Sequence, residues 1–337
     1  MEEYLRYKKR NKIKLVCLFF VAVVSFFLSL SLGRYMVSIG DIFRAFTGGE
    51  VSPEVTQVLF TVRMPRIIAG MMIGSALSLA GAAYQGMFKN PLVSPDILGA
   101  SAGSGFGAAV AILFSFGVFG VKVSSFLAGL AAVLITWFIS DRFGKSDDNI
   151  FILILGGIIV SSLFQSLISL VKYSADPTDK LPEITFWLMG SLSKANMRDI
   201  TIMIVPFIIC VIVLIISAGK LNILSMGEDE AKSLGVNTKR LEFIIIITAT
   251  VLTAFSVSLC GMIGWVGLVI PHLCRMFVGP DFKVLMPATL FTGAAYLVLI
   301  DDVCRCMFQV EIPLGIVTSL AGLPFFLYLL GKKNKGW

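Results

Sequence analysis

The sequence predicts an all-α polytopic membrane protein of about ten transmembrane helices with both termini in the cytoplasm. Three observations carry that expectation. Of 337 residues, 57% are hydrophobic and only 15% charged, with a mean hydropathy of +0.90, more apolar than one soluble core requires. Apolar windows of roughly 20 residues, the length that crosses a hydrocarbon layer about 30 Å thick, recur along the whole chain. Basic residues gather at the start and in alternate connections, the bias that fixes which side of a membrane a loop occupies.

The windows fall at 15–33, 66–84, 97–116, 121–140, 150–171, 199–217, 241–260, 264–278, 283–304 and 313–331. Arg6, Lys8, Lys9, Arg10, Lys12 and Lys14 precede the first of them. A secretory signal begins in the same way, but the apolar run from Leu15 to Leu32 exceeds a usual signal core, and SLGRYMVSIG offers no small-x-small cleavage site. The span is therefore expected to be retained. Residues 1–14 then form a basic cytoplasmic segment, 15–331 a single transmembrane domain and 332–337 a cytoplasmic tail. The window at 264–278 is short and holds Pro271, so it is expected to be broken or tilted.

With ten spans, the inside receives the N-terminal cluster, Lys89, Arg142, Lys145, Lys220, Lys232, Lys239, Arg240, Lys283, Lys332, Lys333 and Lys335. The outside receives Arg34, Arg44, Arg63, Arg66, Lys122, Lys172, Lys180, Lys194 and Arg198. The net charge of +7 suits an anionic inner leaflet and gives no ground for nucleic-acid binding.

Motifs for bond chemistry are missing. GKS at Gly144 to Ser146 has the end of a phosphate-binding loop, but the first glycine of that motif would fall on Ile139, after a hydrophobic helix instead of a strand. No serine elbow, zinc-protease signature or pair of catalytic carboxylates is present. Cys17, Cys210, Cys260, Cys274, Cys304 and Cys306 lie almost entirely within spans, where cysteine behaves as a small apolar residue. Cys304 and Cys306 beside Asp301 and Asp302 could suggest a metal site, but residues two apart on a helix point in different directions. No metal ligand set and no cofactor are expected, and the lone His272 is read as a hydrogen-bonding group inside the bundle.

Small residues recur every four positions, as Gly70, Gly74, Ser78 and Ala82, and as Gly99, Gly103 and Gly107. Such stripes let helix backbones approach closely, and tight packing within the chain is preferred here to a dimer seam. Leu-Val-x-Pro-x-[Ile/Leu] occurs at Leu92 to Ile97 and at Leu268 to Leu273, which suggests an internal repeat with helices broken in corresponding places. Within the loop 218–240, SMGEDEAKSLGVN reads as a short charged helix of about nine residues. Ser225 and Glu228 form a capping box, Asp229 and Glu230 add charge to the first turn, Ala231 and Leu234 give an apolar side, and Gly235 ends it. By spacing alone, a knob that docks into another protein and a helix lying on its own bundle are equally acceptable.

Three blocks carry a resemblance: RMPRIIAGMMIGSALSLAGAAYQGMFKNPLVSPDILGASAGSGFG, then GEDEAKSLGVNTKRL to GMIGWVGLVIPHLCRMFVGPD, and finally EIPLGIVTSLAGLPFFLYLL. In that order, from about Arg63 to Leu330, they resemble the iron-siderophore and cobalamin permease family of bacterial ABC importers, the FecCD-type transmembrane subunit. The resemblance implies a ten-helix subunit of the cytoplasmic membrane that pairs with a second permease subunit, a copy or a paralogue. Two cytoplasmic ABC ATPase subunits would drive it and an external substrate-binding protein would feed it. Glu228, Asp229, Glu230, Ala231, Leu234 and Gly235 then match the helix that seats in the ATPase. Arg63 and Arg66 of RMPR, with Arg305, match basic positions that meet the binding protein. Headgroup snorkelling, with Arg305 pairing Asp301, is the competing reading. LPEITFWLMGSLS at 181–193 resembles an external gate, with Trp187 and Met189 as pathway residues, although Trp187 would serve equally as an interfacial anchor. Pro271, His272 and Arg275 match the Pro-His-x-x-Arg signature near the cytoplasmic exit.

The expected function is that of a permease subunit, itself no enzyme, that imports a metal chelate, ferric siderophore first and haem or cobalamin as alternatives. An ion-coupled secondary carrier is a second class. It would need intramembrane acids, and only Asp301 and Asp302, near one membrane face, are candidates. An intramembrane enzyme, a third class, fails for want of a catalytic constellation.

Overall fold

The computed structural model describes residues 2–144, 149–307 and 309–331; Lys145, Ser146 and the basic tail at 332–337 lie outside them. The described residues are helical, with no strand among them. In order the helices are α1 (Glu2–Ser31), α2 (Ile39–Thr47), α3 (Pro53–Thr56), α4 (Met64–Met87), α5 (Ala100–Leu113), α6 (Gly117–Phe143), α7 (Asn149–Ser174), α8 (Lys180–Leu188), α9 (Met197–Met226), α10 (Glu228–Ser233), α11 (Thr238–Cys260), α12 (Val266–Val278), α13 (Phe282–Cys306) and α14 (Leu314–Gly331). A wide π turn, Gln57–Arg63, joins α3 to α4, and a 3-10 turn, Pro95–Leu98, precedes α5.

Among the described residues, seven helical stretches are long and apolar enough to cross a bilayer, and α5, α12 and α14 are shorter apolar helices. Each coincides with one of the ten expected windows. At about 1.5 Å per residue, α5 with 14 residues and α12 with 13 reach only about 20 Å, short of the roughly 30 Å of hydrocarbon. Segments outside the α-helices, 88–99 with its 3-10 turn and 261–265, lead into these two short helices. Pro271 does not break α12, which runs on through it; the interruption lies upstream, where Gly261 and Trp265 take positive φ. The two Leu-Val-x-Pro stretches are not structural equivalents either. Pro95 opens a 3-10 turn in a connection, whereas Pro271 sits inside a helix.

Helix α4 is the axis. Its spanning stretch is 89% buried, against 22% to 28% for α1, α6, α7 and α9, which present their apolar faces outward. The small-residue stripe explains how. A methyl group on Gly74 would collide with the backbone of Gly293 in α13, and one on Gly81 with the backbone of Gly267 in α12. Pro271 supplies no N–H to the Gly267 carbonyl one turn back, and Gly81 packs against that oxygen. Gly103 and Gly107 press α5 onto Ala128 and Ser124 of α6 in the same way. The stripes therefore serve packing within one chain.

Buried ions clamp one end of this core. Arg66 forks onto Asp301, Nε to Oδ2 at 2.8 Å and Nη2 to Oδ1 at 2.9 Å, and gives Nη1 to Glu311 at 3.0 Å. Arg305 gives Nε to Asp302 at 3.1 Å and Nη2 to the backbone oxygen of Ser29 in α1 at 2.6 Å. The Ser29 hydroxyl donates to Asp302 at 2.6 Å. Arg63 donates to the carbonyls of Leu30, Ser31 and Tyr35, filling acceptors left open where α1 ends. Helices α1, α4 and α13 are thus joined by charge-assisted bonds.

Two outcomes follow for stability. Gly81→Leu should lower the melting temperature of the detergent-solubilised chain sharply, by the ~3 kcal/mol or more that forced overpacking costs; Gly264→Ala, where nothing lies within 4 Å of the added carbon, should leave it unchanged. In a double-mutant cycle, Arg66→Met alone should cost about 3–5 kcal/mol by stranding Asp301, and adding Asp301→Leu should recover much of that loss. A cost below about 1 kcal/mol for the single variant would show that the fork does not hold the helices.

Candidate functional site

The charged stretch of the 218–240 loop forms a compact knob. Helix α9 runs two turns beyond its expected span because Leu221 and Leu224 are buried in the main core. Ser225 therefore lies inside α9 and donates to Asn222 O at 2.7 Å instead of capping the next helix. The expected capping box does not form: Gly227 stands at the N-cap without a side-chain bond, and α10 has six residues, not nine. Gly235 does end it, at φ +78°, its N–H reaching Lys232 O at 3.0 Å while Val236 N–H reaches Ala231 O at 2.9 Å. Asn237 then caps α11 through Arg240 N–H at 3.0 Å.

Burial sorts the knob into a root and a tip. Ala231 is fully buried beside Leu224 and Leu241. Glu228 is tied inward, to Lys232 at 2.9 Å and to the Thr238 hydroxyl at 3.5 Å. Asp229 and Glu230 are exposed, with Met226 (71%) and Leu234 (63%) as bare apolar groups beside them. Two carboxylates and two large apolar side chains on a rigid, glycine-bounded turn can insert into a groove that offers cations around an apolar floor.

Toward the same end of the bundle as the knob, Pro271 and His272 are buried in α12 and Arg275 is half-buried. The His272 ring stands edge-on to Phe325 of α14. Arg275 Nη2 donates to Gln85 Oε1 at 3.1 Å, and Gln85 Nε2 lies 3.4 Å from both Val93 O and Leu268 O. Gln85 thus joins α4, the irregular 88–99 segment and α12. Sequence reasoning missed it because the second window ended at residue 84; the signal was an isolated glutamine at the end of an apolar run.

At the opposite end, α8 packs Ile184 into a small cluster with Ala109, Ile112 and Val171. The Met189 and Gly190 carbonyls accept the N–H groups of Gly315 and Leu314 at 3.0 and 2.9 Å, and Ser191 N–H reaches Cys260 O at 2.6 Å. Trp187 is half-buried and, with Phe186, Lys180, Glu183 and Lys122, lines a mostly apolar cavity of about 590 Å³; Met189 is half-buried at its edge in sequence. The Glu183 carboxylate, 3.2 Å from Lys180 Nζ, holds that ammonium above its ordinary range.

The three arginines expected to dock a binding protein have no free face. Arg63, Arg66 and Arg305 are 3%, 7% and 7% exposed and spend their donors on the clamp described above. Arg305 pairs Asp302, three residues back, and Asp301 goes to Arg66. Desolvated guanidinium groups need several bonds each, and carboxylates and backbone of the same chain supply them. Cys304 is buried and Cys306 exposed, on different sides of α13. The knob and the Gln85–Arg275 pair lie at one end of the bundle, and α8 and the clamp at the other.

Comparison with known proteins gives this architecture a family. Residues 21–332 match the FecCD transport family. The chain is 41% identical over 318 residues to the molybdate import system permease protein MolB of Haemophilus influenzae, covering 93% of this chain and 94% of that one. It is 34% identical to the Fe(3+)-citrate import system permease protein YfmE of Bacillus subtilis, covering 98% of each. A solved inward-facing conformation of a metal-chelate type ABC transporter superposes with a TM-score of 0.87 at 39% identity, covering 95% of this chain and 99% of that one. PsaBC of Streptococcus pneumoniae, at 16% identity and a TM-score of 0.57, shares the fold over 85% of this chain and 94% of that one. The family match spans nearly the whole chain and relatives of this identity cover 93% to 98% of it, so this integral membrane protein belongs to the FecCD transport family.

Proposed function

We propose that the chain is the permease subunit of a binding-protein-dependent ABC importer in the cytoplasmic membrane. It pairs with a second permease subunit, couples to two ATPase subunits through α10, and carries a metal chelate inward, ferric siderophore first among the candidates. The observation that carries this reading is the knob: its root is buried through Ala231 and its tip, Asp229, Glu230 and Leu234, is bare. An isolated surface helix would have laid Leu234 and Met226 against its own bundle. Relatives named for ferric citrate, for hemin in Yersinia pestis and for cobalamin in Halobacterium salinarum support a chelate as cargo.

The molybdate permease relative at 41% identity favours a second reading of the cargo, a bare oxyanion. An ion-coupled carrier has less support, since Asp301 and Asp302 are bonded to arginines at one end of the bundle and a proton relay needs carboxylates free to titrate along the path. Trp187 and Met189 remain the proposed external gate and Pro271, His272 and Arg275 the proposed exit.

The double variant Glu230→Lys with Leu234→Arg should abolish copurification of an ATPase subunit while helical content and melting temperature stay at wild-type values, because both side chains point away from the core; normal copurification would exclude the coupling role. For the cargo, reconstituted vesicles holding the whole transporter should accumulate radiolabelled ferric siderophore with ATP and ignore molybdate. Uptake of molybdate alone would move the assignment to the oxyanion, and uptake without an ATPase would overturn the importer reading altogether.

A further inference from the structure

Helix α1 has 30 residues, about 45 Å of length, against a hydrocarbon layer about 30 Å thick. Two contacts fix its height. At one end Ser29 is held by Arg305 and Asp302. Toward the other, the Lys14 ammonium donates to the carbonyl of Phe277 at the end of α12 and lies 5.0 Å from the centroid of that residue's ring. From Lys14 to Ser31 the helix rises about 26 Å, so nearly the whole apolar layer is crossed between those points. The section before Lys14 stands outside it as continuous helix.

That section carries Arg6, Lys8, Lys9, Arg10 and Lys12, all exposed, at heights of about 3 to 12 Å beyond Lys14, the depth of the polar headgroup layer. Their arrangement around the axis is not random. At about 100° per residue, Tyr7, Asn11 and Lys14 share one face. This face meets the protein: Asn11 is 3% exposed with neither amide atom hydrogen-bonded, and the Tyr7 hydroxyl lies over Gly279 in the α12–α13 corner. The five basic residues fan across the opposite arc of about 200°. Glu2 pairs Arg6 at 3.6 Å, and among the described residues Lys8, Lys9, Arg10 and Lys12 have no ion-pair partner. A protein partner would be met by charges on one face, whereas a headgroup layer surrounds a helix that rises through it. This arrangement fits the layer.

We infer that the outer arc of the outward section of α1, which the α12–α13 corner supports from its inner face, is a binding site for anionic phospholipid headgroups of the cytoplasmic leaflet. Phosphates are held by Lys8, Lys9, Arg10 and Lys12, at a height set by the Lys14–Phe277 contact. The corner is itself bonded to α9, Asn222 Nδ2 to Asp281 Oδ1 at 2.7 Å and Phe282 N–H to Asn222 Oδ1 at 2.8 Å, so it serves as the support against which the inner face of this section of α1 rests, and the lipid is met on the outer arc. The site does not depend on the identity of the cargo.

The test uses the full chain in nanodiscs of equal phosphatidylglycerol and phosphatidylcholine, with retained lipid counted by native mass spectrometry. The wild type should keep phosphatidylglycerol over phosphatidylcholine by about tenfold or more, and the preference should fade as salt is raised from 50 to 500 mM, screening the charges. The quadruple variant Lys8→Gln, Lys9→Gln, Arg10→Gln and Lys12→Gln should lose the preference with unchanged circular dichroism. Equal retention of the two lipids by the wild type, or undiminished selectivity in the variant, overturns the site. Displacement of the lipid by millimolar inorganic phosphate would make it a site for the free anion. A photocrosslinker at Lys9 that captures a protein in native membranes instead of lipid would make it a protein interface.

Discussion

Hydrocarbon offers a backbone amide no partner, and each group left unsatisfied there costs several kcal/mol; the irregular parts of this chain are arranged around that constraint. The bundle interrupts its helices at 88–99, 189–193 and 261–265, and bonds from within the chain close each interruption. Gln85 takes up Val93 O and Leu268 O, and the Thr136 hydroxyl donates to Leu98 O at 3.0 Å. The Met189 and Gly190 carbonyls receive the first N–H groups of α14, and Cys260 O receives Ser191 N–H. Arg63 does the same for the last carbonyls of α1. Short helices such as α5 and α12 are tolerable because their missing length is backbone that the protein itself satisfies.

The same constraint explains why α4 is so densely buried. A helix that must supply partners to broken neighbours on several sides has to touch them all closely, and only glycine lets a backbone carbonyl sit against a helix face. Gly74 against Gly293 and Gly81 against Gly267 bring α13 and α12 to within backbone contact, and Gln85, one turn past Gly81, then reaches α12 and the 88–99 segment at once. The ion clamp completes the arrangement at the far end. Its net contribution to stability is small if compared with an apolar replacement, but it fixes the register of α1, α4 and α13 relative to one another.

Most of the fold was legible in the sequence and much of the site was not. Among the described residues, seven helices long enough to span and three shorter apolar ones fall on the expected windows, because hydropathy over about 20 residues records the thickness of the solvent. Termini were less legible: α9 outruns its window to Met226 because Leu221 and Leu224 find burial beyond the apolar layer, a tertiary fact that local pattern does not carry. The capping box at Ser225 failed for the same reason, since a serine already inside a helix returns its hydroxyl to the preceding turn. Arg63, Arg66 and Arg305 looked like external charges in need of a partner. Most of their partners, Asp301 and Glu311 for Arg66 and the end of α1 for Arg63 and Arg305, lie far away in sequence and adjacent in space; only Asp302, one turn before Arg305, is local. Gly235, by contrast, could be read directly, because ending a helix at positive φ is a local requirement.

The geometry also says where a load applied to the knob would go. Helix α10 is bounded by Gly227 and Gly235 and rooted by Ala231 between α9 and α11, so a push on Asp229, Glu230 or Leu234 moves the adjoining ends of those two helices. The end of α9 is bonded through Asn222 to the α12–α13 corner, and α12 is bonded through Arg275 to Gln85 at the near end of α4. At the far end, α4, α13 and α1 are held by the Arg66–Asp301 and Arg305–Asp302 bonds. A structure linked at one end to the point of force and clamped at the other responds by tilting about the clamp. On the coupling role proposed for the knob, the buried arginines are the fixed end of that path, because they hold α1, α4 and α13 to one another.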